Sequence, residues 1–398
     1  MRVSRSVGAA VVLTAGVAAV PIALVASAGA ATTPHIGRQL AELKGSGTVA
    51  GDYFGYAAAI SGTTAIVGAP NFDVGLGRAY IFTKTASGWK QTATLQGAGT
   101  AGEKSAAFGY SVAISGTTAI VGGPDNAYIF TKTTTGWKQT AVLKGSATVV
   151  GENFGSSVGI SGTTAIVGAP GVEDTSGNEF GGNAYVFTKT RAGWTQTTIL
   201  KGSNSTFGDE FGSSVAISGT NAIVGAFAEG SLVSGSAYIF TKTTTGWRQA
   251  AEIKGAHSVY GGRFGWSVAI CGTTAVVGYP GYADFAGRTD IFAKTTHGWT
   301  QTAALKGSNT VIRDGFGSSV GISGDAVIVG APGHADYTGR AYIFTKTTAG
   351  WRQAVAVRGT DSVADDWFGF SAGISDGTAI VGAPYIAKKA GRAYVLVG

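Results

Sequence analysis

From Ser156 to Ser161 small polar and apolar residues alternate, with no helical spacing, and this period of two predicts a strand. Ser161-Gly162-Thr163-Thr164 follows as a tight turn, since Gly takes positive φ without steric cost. Ala165-Ile166-Val167 is a short β-branched run bounded by Gly168 and Pro170. It suits a strand buried on both faces whose ladder stops at the Pro. Beyond a variable loop, Ala184-Tyr185-Val186-Phe187-Thr188 is aromatic and β-branched and reads as a third strand. Arg191-Ala192-Gly193 turns the chain, Trp194 to Leu200 makes a fourth strand, and Lys201-Gly202 ends it.

Nearly the same text occurs seven times. Its first landmark is Phe54, Phe108, Phe154, Phe211, Phe264, Phe316 and Phe368, each followed by Gly. Its second is Gly-Ala-Pro or a relative, as at Gly68-Ala69-Pro70 and Gly168-Ala169-Pro170, with Gly225-Ala226-Phe227 and Gly278-Tyr279-Pro280 as variants. A period of roughly fifty residues points to a propeller, a solenoid or an array. Four short antiparallel strands repeated seven times fit an all-β, seven-bladed β-propeller. The chain ends support closure over a solenoid. A lone fourth-strand copy, Arg38 to Gly45, precedes the first repeat, and the last repeat stops at its third strand, Arg392 to Val397. Pairing the two removes an exposed edge and locks the ring. The propeller is thus expected over 37–398, with the N-terminal outer strand completing the last blade.

Residues 1–30 stand apart. Arg2 and Arg5 precede an uncharged stretch, Val7 to Val25, and Ala28-Gly29-Ala30 is a small-x-small cleavage pattern. This reads as a secretory signal peptide joined by a short linker, 31–36. A retained anchor is the alternative, because the stretch is nearly long enough to span a bilayer. Export implies a secreted, extracellular or cell-wall-associated protein. The 65 Gly residues would suggest a flexible polymer by composition, but they fall at fixed repeat positions and so mark turns and close inter-blade contacts. Trp89, Trp137, Trp194, Trp247, Trp299 and Trp351 all open the fourth strand. Cys271, the only Cys, stands where other copies have Ser; a buried, inert thiol is expected, and blade packing must supply the stability.

The net charge is +7, two of it from Arg2 and Arg5. Its placement matters more. The third-to-fourth turns carry Lys84, Lys90, Lys132, Lys138, Lys189, Arg191, Lys242, Arg248, Lys294, Lys346 and Arg352, with Asp325 and Asp376 the only acids in the turns of that face. The opposite face, holding the second-to-third and fourth-to-first loops, carries most of the acids. A bipolar disc is expected, whose basic rim either keeps the protein soluble or meets anionic wall surfaces. Nucleic acid is not an expected partner.

Phe-Gly, strand–turn–strand, then Gly-Ala-Pro resembles the FG-GAP repeat of the integrin α-subunit N-terminal propeller, most closely the secreted bacterial members with short first turns. The resemblance covers the whole chain after the leader. It implies seven blades, an extracellular location and ligand contact on the face with the second-to-third and fourth-to-first loops. One departure matters. Several integrin blades carry a calcium loop, Asp-x-Asp-x-Asp-Gly-x-x-Asp, between the two landmarks. Here that turn is Ser61-Gly62-Thr63-Thr64 and its copies, with at most one acid, Asp325 or Asp376. Calcium needs six to eight oxygen ligands, so no metal and no cofactor is expected.

Candidate sites lie in the variable loops. Glu173, Asp174 and Glu179 are close together in the long loop of the third repeat; they either bind a cation or basic partner or form a solvated acidic loop. An acid two before Phe recurs at Asp52, Glu152, Asp209, Asp314 and Asp366, with Ala106 and Gly262 as exceptions. It either bonds backbone N–H groups in a turn or lines a carboxylate ring at the channel mouth. Tyr56, Tyr110, Trp266 and Phe370 follow Phe-Gly directly in four repeats. In a closed ring Phe370, Tyr56 and Tyr110 come together near Tyr53 and Trp367, either as inter-blade packing or as aromatic faces for a sugar or a partner side chain. His35, His257, His297 and His334 read as isolated, and none pairs at metal-ligand spacing. No nucleophile elbow, phosphate loop or Cys-x-x-Cys appears; paired carboxylates for glycoside chemistry leave no sequence signature, since their separation is spatial. The expectation is a monomeric, non-catalytic module that binds an extracellular protein or glycan, with a lectin and then a propeller hydrolase or lyase as alternatives.

Overall fold

The computed structural model describes residues 35–98, 107–148, 151–171, 182–206, 208–228, 234–255 and 261–398. The expected leader and Glu173, Asp174 and Glu179 lie outside the described residues. Seven four-stranded antiparallel sheets are present, each a blade. They occupy 57–95, 111–143, 157–200, 214–253, 267–305 and 319–357 (blades 1 to 6), and 371–397 together with Gln39–Leu43 (blade 7). The first strand of each blade packs against the first strands of the blades on either side, and that of blade 7, Ser371–Ser375, meets that of blade 1, Ala57–Ser61. The ring is therefore closed.

Blade 3 matches the reading of its repeat closely. Its strands are Ser157–Ser161, Thr164–Ala169, Asn183–Thr190 and Gly193–Leu200. The second is buried throughout, as its unbroken apolar run requires. Gln39–Leu43 pairs antiparallel with Arg392–Val397, Glu42 opposite Tyr394 and Leu43 opposite Ala393. Blades 1, 5, 6 and 7 also hold a single tight turn after the second strand, at Phe72–Gly75, Tyr282–Phe285, His334–Tyr337 and Ile386–Lys389, each with left-handed residues inside it. These turns carry no periodic signal and are not foreseen from the sequence.

The two landmarks are the joints between blades. Each landmark Phe is buried between its own third strand and the previous blade; Phe54, for instance, meets Tyr80 at 5.4 Å and Phe82 at 6.0 Å, edge to face. The Gly after it and the Gly of Gly-Ala-Pro in the preceding blade bring two backbones together with no room for a side chain. A Cβ on Gly68, Gly168 or Gly330 would lie closer than 3.0 Å to the carbonyl oxygen of Gly109, Gly212 or Gly369. Six of the seven joints are then tied by a hydroxyl; the joint of blades 1 and 2 has Ala57 at that position. Ser111 Oγ donates to the Gly155 carbonyl at 2.7 Å, and Ser371 Oγ does the same to Gly55 at 2.8 Å across the closure.

At the other mouth of the channel, the Ser ending each first strand accepts the turn N–H of the next blade. Ser61 Oγ takes Gly116 N–H at 3.1 Å, Ser218 Oγ takes Gly272 N–H at 3.0 Å, and Ser375 Oγ takes Gly62 N–H at 3.1 Å. At the joint of blades 5 and 6 that residue is Cys271, which is half-buried rather than buried as expected, and makes no such bond. A thiol is a poor acceptor. Cys271→Ser is expected to supply the missing bond and raise stability by about 1 kcal/mol, read as an upward shift in the thermal midpoint; an unchanged or lower midpoint would show that this ring of hydroxyls contributes little.

Blade 5 departs from the pattern through a paired exchange. Where other blades have Tyr80 or Tyr342 in the third strand, it has Asp290, and where they have Ala69 or Ala331 it has Tyr279. The Tyr279 ring reaches the same joint, 5.6 Å from Phe264 and edge-on. Gly262, an exception to the recurring acid, abuts that ring so closely that a Cβ there would overlap it.

Candidate functional site

The recurring acids settle into turns. Oδ2 of Asp52, Asp209, Asp314 and Asp366 accepts the N–H three residues earlier, from Val49, Thr206, Val311 and Val363, at 2.5 to 2.9 Å. All four are buried, as is Glu152, so the carboxylate ring at the channel mouth does not exist. Burial holds the carboxyls of Asp52 and Asp366 above their ordinary range, against the pull of those N–H donors. The same burial thins the expected acidic face: these acids are spent inside turns, while Arg313, Lys388 and Lys389 stand exposed among them. The opposite rim keeps its expected character, since all eleven cations named for it are exposed.

His334 is a second correction. It is not isolated. Its Nδ1 lies 2.7 Å from Asp314 Oδ2 in a buried pair, and its Nε2 lies 3.4 Å from Asn309 Nδ2. Asn309 Oδ1 in turn accepts the Tyr342 hydroxyl at 2.9 Å. Two strands and the loops around them separate Asp314 from His334 in sequence, and only the fold brings them together.

What the variable loops build is a funnel at the mouth of the central channel, a cavity of about 530 Å³. Three repeat positions supply its wall: the residue just before the landmark Phe, which gives Glu210 and Trp367, the second residue after it, which lines the wall in all seven repeats, and the end of Gly-Ala-Pro, which gives Pro170, Phe227 and Pro332. The first position has a left-handed backbone at Tyr53 (φ 58°), Glu210 (φ 55°), Arg263 (φ 61°) and Trp367 (φ 59°). L-residues adopt this region at a cost, and such residues cluster where a site demands them. The Trp367 N–H is held by the carbonyl of Tyr337 in the preceding blade at 2.8 Å, and Tyr53 N–H by that of Lys389 at 2.8 Å.

All five aromatic residues nominated from the sequence come together. Tyr56 lies 5.1 Å from Tyr110 and 4.8 Å from Phe370, ring centre to ring centre, and Phe370 lies 6.1 Å from Trp367. Tyr53 joins through Tyr385, which the sequence did not nominate: Tyr385 meets Tyr53 edge-on at 5.3 Å and stacks on Trp367 at 4.7 Å. Tyr337, also missed, stacks on the other face of Trp367 at 5.0 Å. The Lys389 ammonium sits 5.5 Å from the Tyr53 ring and 5.7 Å from the Tyr385 ring. Burial and then the neighbouring Tyr110 push the Tyr56 phenol well above its ordinary range, so it stays a neutral donor. Across the funnel Phe227 meets Trp266 at 4.7 Å, and the Arg263 guanidinium lies 5.3 Å from the Trp266 ring. Glu210, the one carboxylate in the described lining, is raised by burial and held back by Arg263.

The arc is therefore half packing and half presentation. Tyr56 and Trp367 are half-buried by their neighbours, while Tyr110 and Trp266 remain exposed. Among the described residues no three His, Cys, Asp or Glu are grouped to hold a metal ion, and no helix is long and apolar enough to cross a membrane.

Comparison with known proteins agrees with this architecture. The FG-GAP repeat family matches six segments, 38–82, 89–130, 137–187, 194–240, 299–344 and 351–396. Each runs from a fourth strand of one blade to the third strand of the next, so the matched unit straddles a joint. No curated protein matches the chain. Among solved structures, a chain in the crystal structure of the mitotic checkpoint complex superposes with a TM-score of 0.59 at 12% identity, covering 99% of both chains. At that identity the likeness is one of fold alone.

Proposed function

The chain belongs to the FG-GAP repeat family, and from that premise we propose that it is a secreted, non-catalytic binding module, which contacts an extracellular protein or glycan through the face carrying the second-to-third and fourth-to-first loops. One observation carries this reading. Aromatic side chains from blades 6, 7, 1 and 2, with Trp266 and Phe227 opposite, surround a preformed funnel on a rigid ring. A flat aromatic surface of low side-chain entropy is what a recognition site needs, and the scaffold holds it without a conformational step. The lining supports binding over chemistry: a single carboxylate, Glu210, faces a cation and has no described acid–base partner beside it.

The basic rim favours a second contact. Eleven exposed cations repeat around the opposite face, and such a ring draws the protein toward anionic wall polymers in a salt-dependent way. The two faces can act at once, one on the wall and one on a partner.

The purified chain is to be applied to glycan and matrix-protein arrays, alongside Tyr110→Ala and Trp367→Ala. The expected result is a defined set of ligands whose affinity falls roughly tenfold or more in Trp367→Ala, on the scale of a central aromatic anchor. A silent array accompanied by hydrolytic turnover of a polysaccharide would replace the binding reading with an enzymatic one.

A further inference from the structure

The funnel has a side chamber. Between the loops of blades 5 and 6 lies a second cavity of about 420 Å³, which shares Trp266, Ser318, Pro332 and Trp367 with the funnel and so adjoins it. Its own walls add Phe285 and Tyr337, both exposed, and two arginines, Arg263 and Arg313. Its described lining contains no acid. Neither guanidinium lies within ion-pair distance of a described carboxylate. The acids nearest in the fold are accounted for elsewhere: Asp314 is buried against His334, Asp284 and Asp336 do not line the chamber, and Glu210 faces Arg263 from the funnel side.

The backbone holds these groups deliberately in place. Phe285 and Tyr337 each end a run of three consecutive left-handed residues, Ala283-Asp284-Phe285 and Ala335-Asp336-Tyr337, and Arg313 is itself left-handed at φ 71°. Arg313 N–H is bonded to the Asp284 carbonyl at 3.2 Å and Gly315 N–H to the Phe285 carbonyl at 2.7 Å, which fixes the blade 6 loop to the blade 5 turn. Arg263 is positioned between two rings, 5.3 Å from Trp266 and 5.8 Å from Phe285.

We propose that this chamber is the subsite for an acidic sugar, a uronate residue of an extracellular anionic glycan, whose chain continues into the aromatic funnel. The inference rests on the binding reading above and names its ligand class. Two forked guanidinium groups match a carboxylate in charge and in hydrogen-bonding capacity; Arg313 has no described carboxylate within ion-pair distance, and Arg263 has only Glu210 facing it from the funnel side. The exposed ring of Trp266 beside them suits the flat apolar side of a pyranose, and Trp367, stacked between Tyr337 and Tyr385, stiffens the wall behind it. An acidic peptide satisfies the charge but brings backbone amides that need partners, and the side chains of the chamber offer few acceptors. The volume accommodates a monosaccharide or disaccharide and lies in the range of small-ligand pockets.

The test uses the full chain and oligogalacturonate as probe, with the carboxyl-reduced oligosaccharide and an aspartate-rich peptide as comparisons, by calorimetry at fixed salt. Expected are binding of the oligouronate, at least tenfold weaker binding of its reduced form, and about tenfold weaker binding by Arg313→Ala, the cost of one charged hydrogen-bonding partner. Arg313 is exposed, so its variant is expected to melt as the parent does. Arg313→Lys should recover only part of the affinity, because the ammonium lacks the fork. Oligouronate binding that survives Arg313→Ala and Arg263→Ala but is lost in Lys84→Ala/Lys346→Ala would move the site to the basic rim and overturn the proposal. Equal binding of the reduced sugar, or binding of the peptide alone, would overturn it while leaving the recognition role of the funnel intact. An array silent for every ligand would sink both readings together.

Discussion

A chain beginning at Ser46 is expected to lose the ring, not just a strand. Gln39–Leu43 is the outer strand of blade 7, and its removal leaves Arg392–Val397 as an open edge. The losses are specific. Leu43 is buried in the joint with blade 1, Glu42 Oε1 accepts from Arg392 Nε at 2.9 Å, and Gly37 N–H and Val397 N–H are bonded across the seam at 2.7 and 2.9 Å. Burial of one Leu contributes about 2 kcal/mol, and a handful of ladder bonds about 1 kcal/mol each. The sum is on the order of 5 kcal/mol, a large part of the 5–15 kcal/mol that holds a typical domain folded. The exposed edge carries Tyr394, Val395 and Leu396, a short apolar strand that invites pairing with a second copy. Size-exclusion chromatography should therefore show dimers and larger species, with the melt displaced well downward. A monomer melting within a few degrees of the parent would mean that the seam is not what holds the ring closed.

The sequence made this closure legible because it is a counting argument: one strand too many at one end and one too few at the other. The five aromatic positions were legible for the same reason. Once seven copies are known to lie in a ring, Phe370, Tyr56 and Tyr110 must be neighbours, and they are. What escaped is what repeat phase does not encode. Tyr337, Tyr385 and Lys389 sit in single turns that exist in only some blades, so nothing in the other copies announces them. Arg263 and Glu210 occupy the position before the landmark Phe, which carries Tyr, Ala, Asn, Glu, Arg, Gly and Trp in turn and looks unconstrained. Its common property is a left-handed backbone, not a residue type, and that could have been suspected only from its place between two fixed joints. His334 and Tyr279 failed for a related reason. Each makes its contacts, His334 with Asp314 and Tyr279 with Phe264 and Gly262, a loop or more away in sequence.

The joints themselves allow the sharpest test of why the landmarks have the residues they do. Gly330→Ala is expected to destabilise the protein by about 3 kcal/mol, at the upper end of overpacking costs. The added methyl would fall closer than 3.0 Å to the Gly369 carbonyl oxygen and to Ser319 Oγ. Neither can yield cheaply: Gly369 N–H is bonded to Gly382 O at 3.1 Å, and Ser319 Oγ donates to that same Gly369 carbonyl at 2.8 Å. The two blades must part to admit the methyl, and parting one joint in a closed ring strains the others. Gly373→Ala is the matched comparison. It lies in the first strand of blade 7, and its Cβ would meet nothing nearer than 3.5 Å, an ordinary contact. Its effect should stay within about 0.5 kcal/mol, or become slightly stabilising by reducing the freedom of the unfolded chain. Equilibrium unfolding in urea measures both. Equal costs for the two variants would show that glycine is needed in these strands for its flexibility alone, and the close approach of neighbouring blades would no longer explain the repeat.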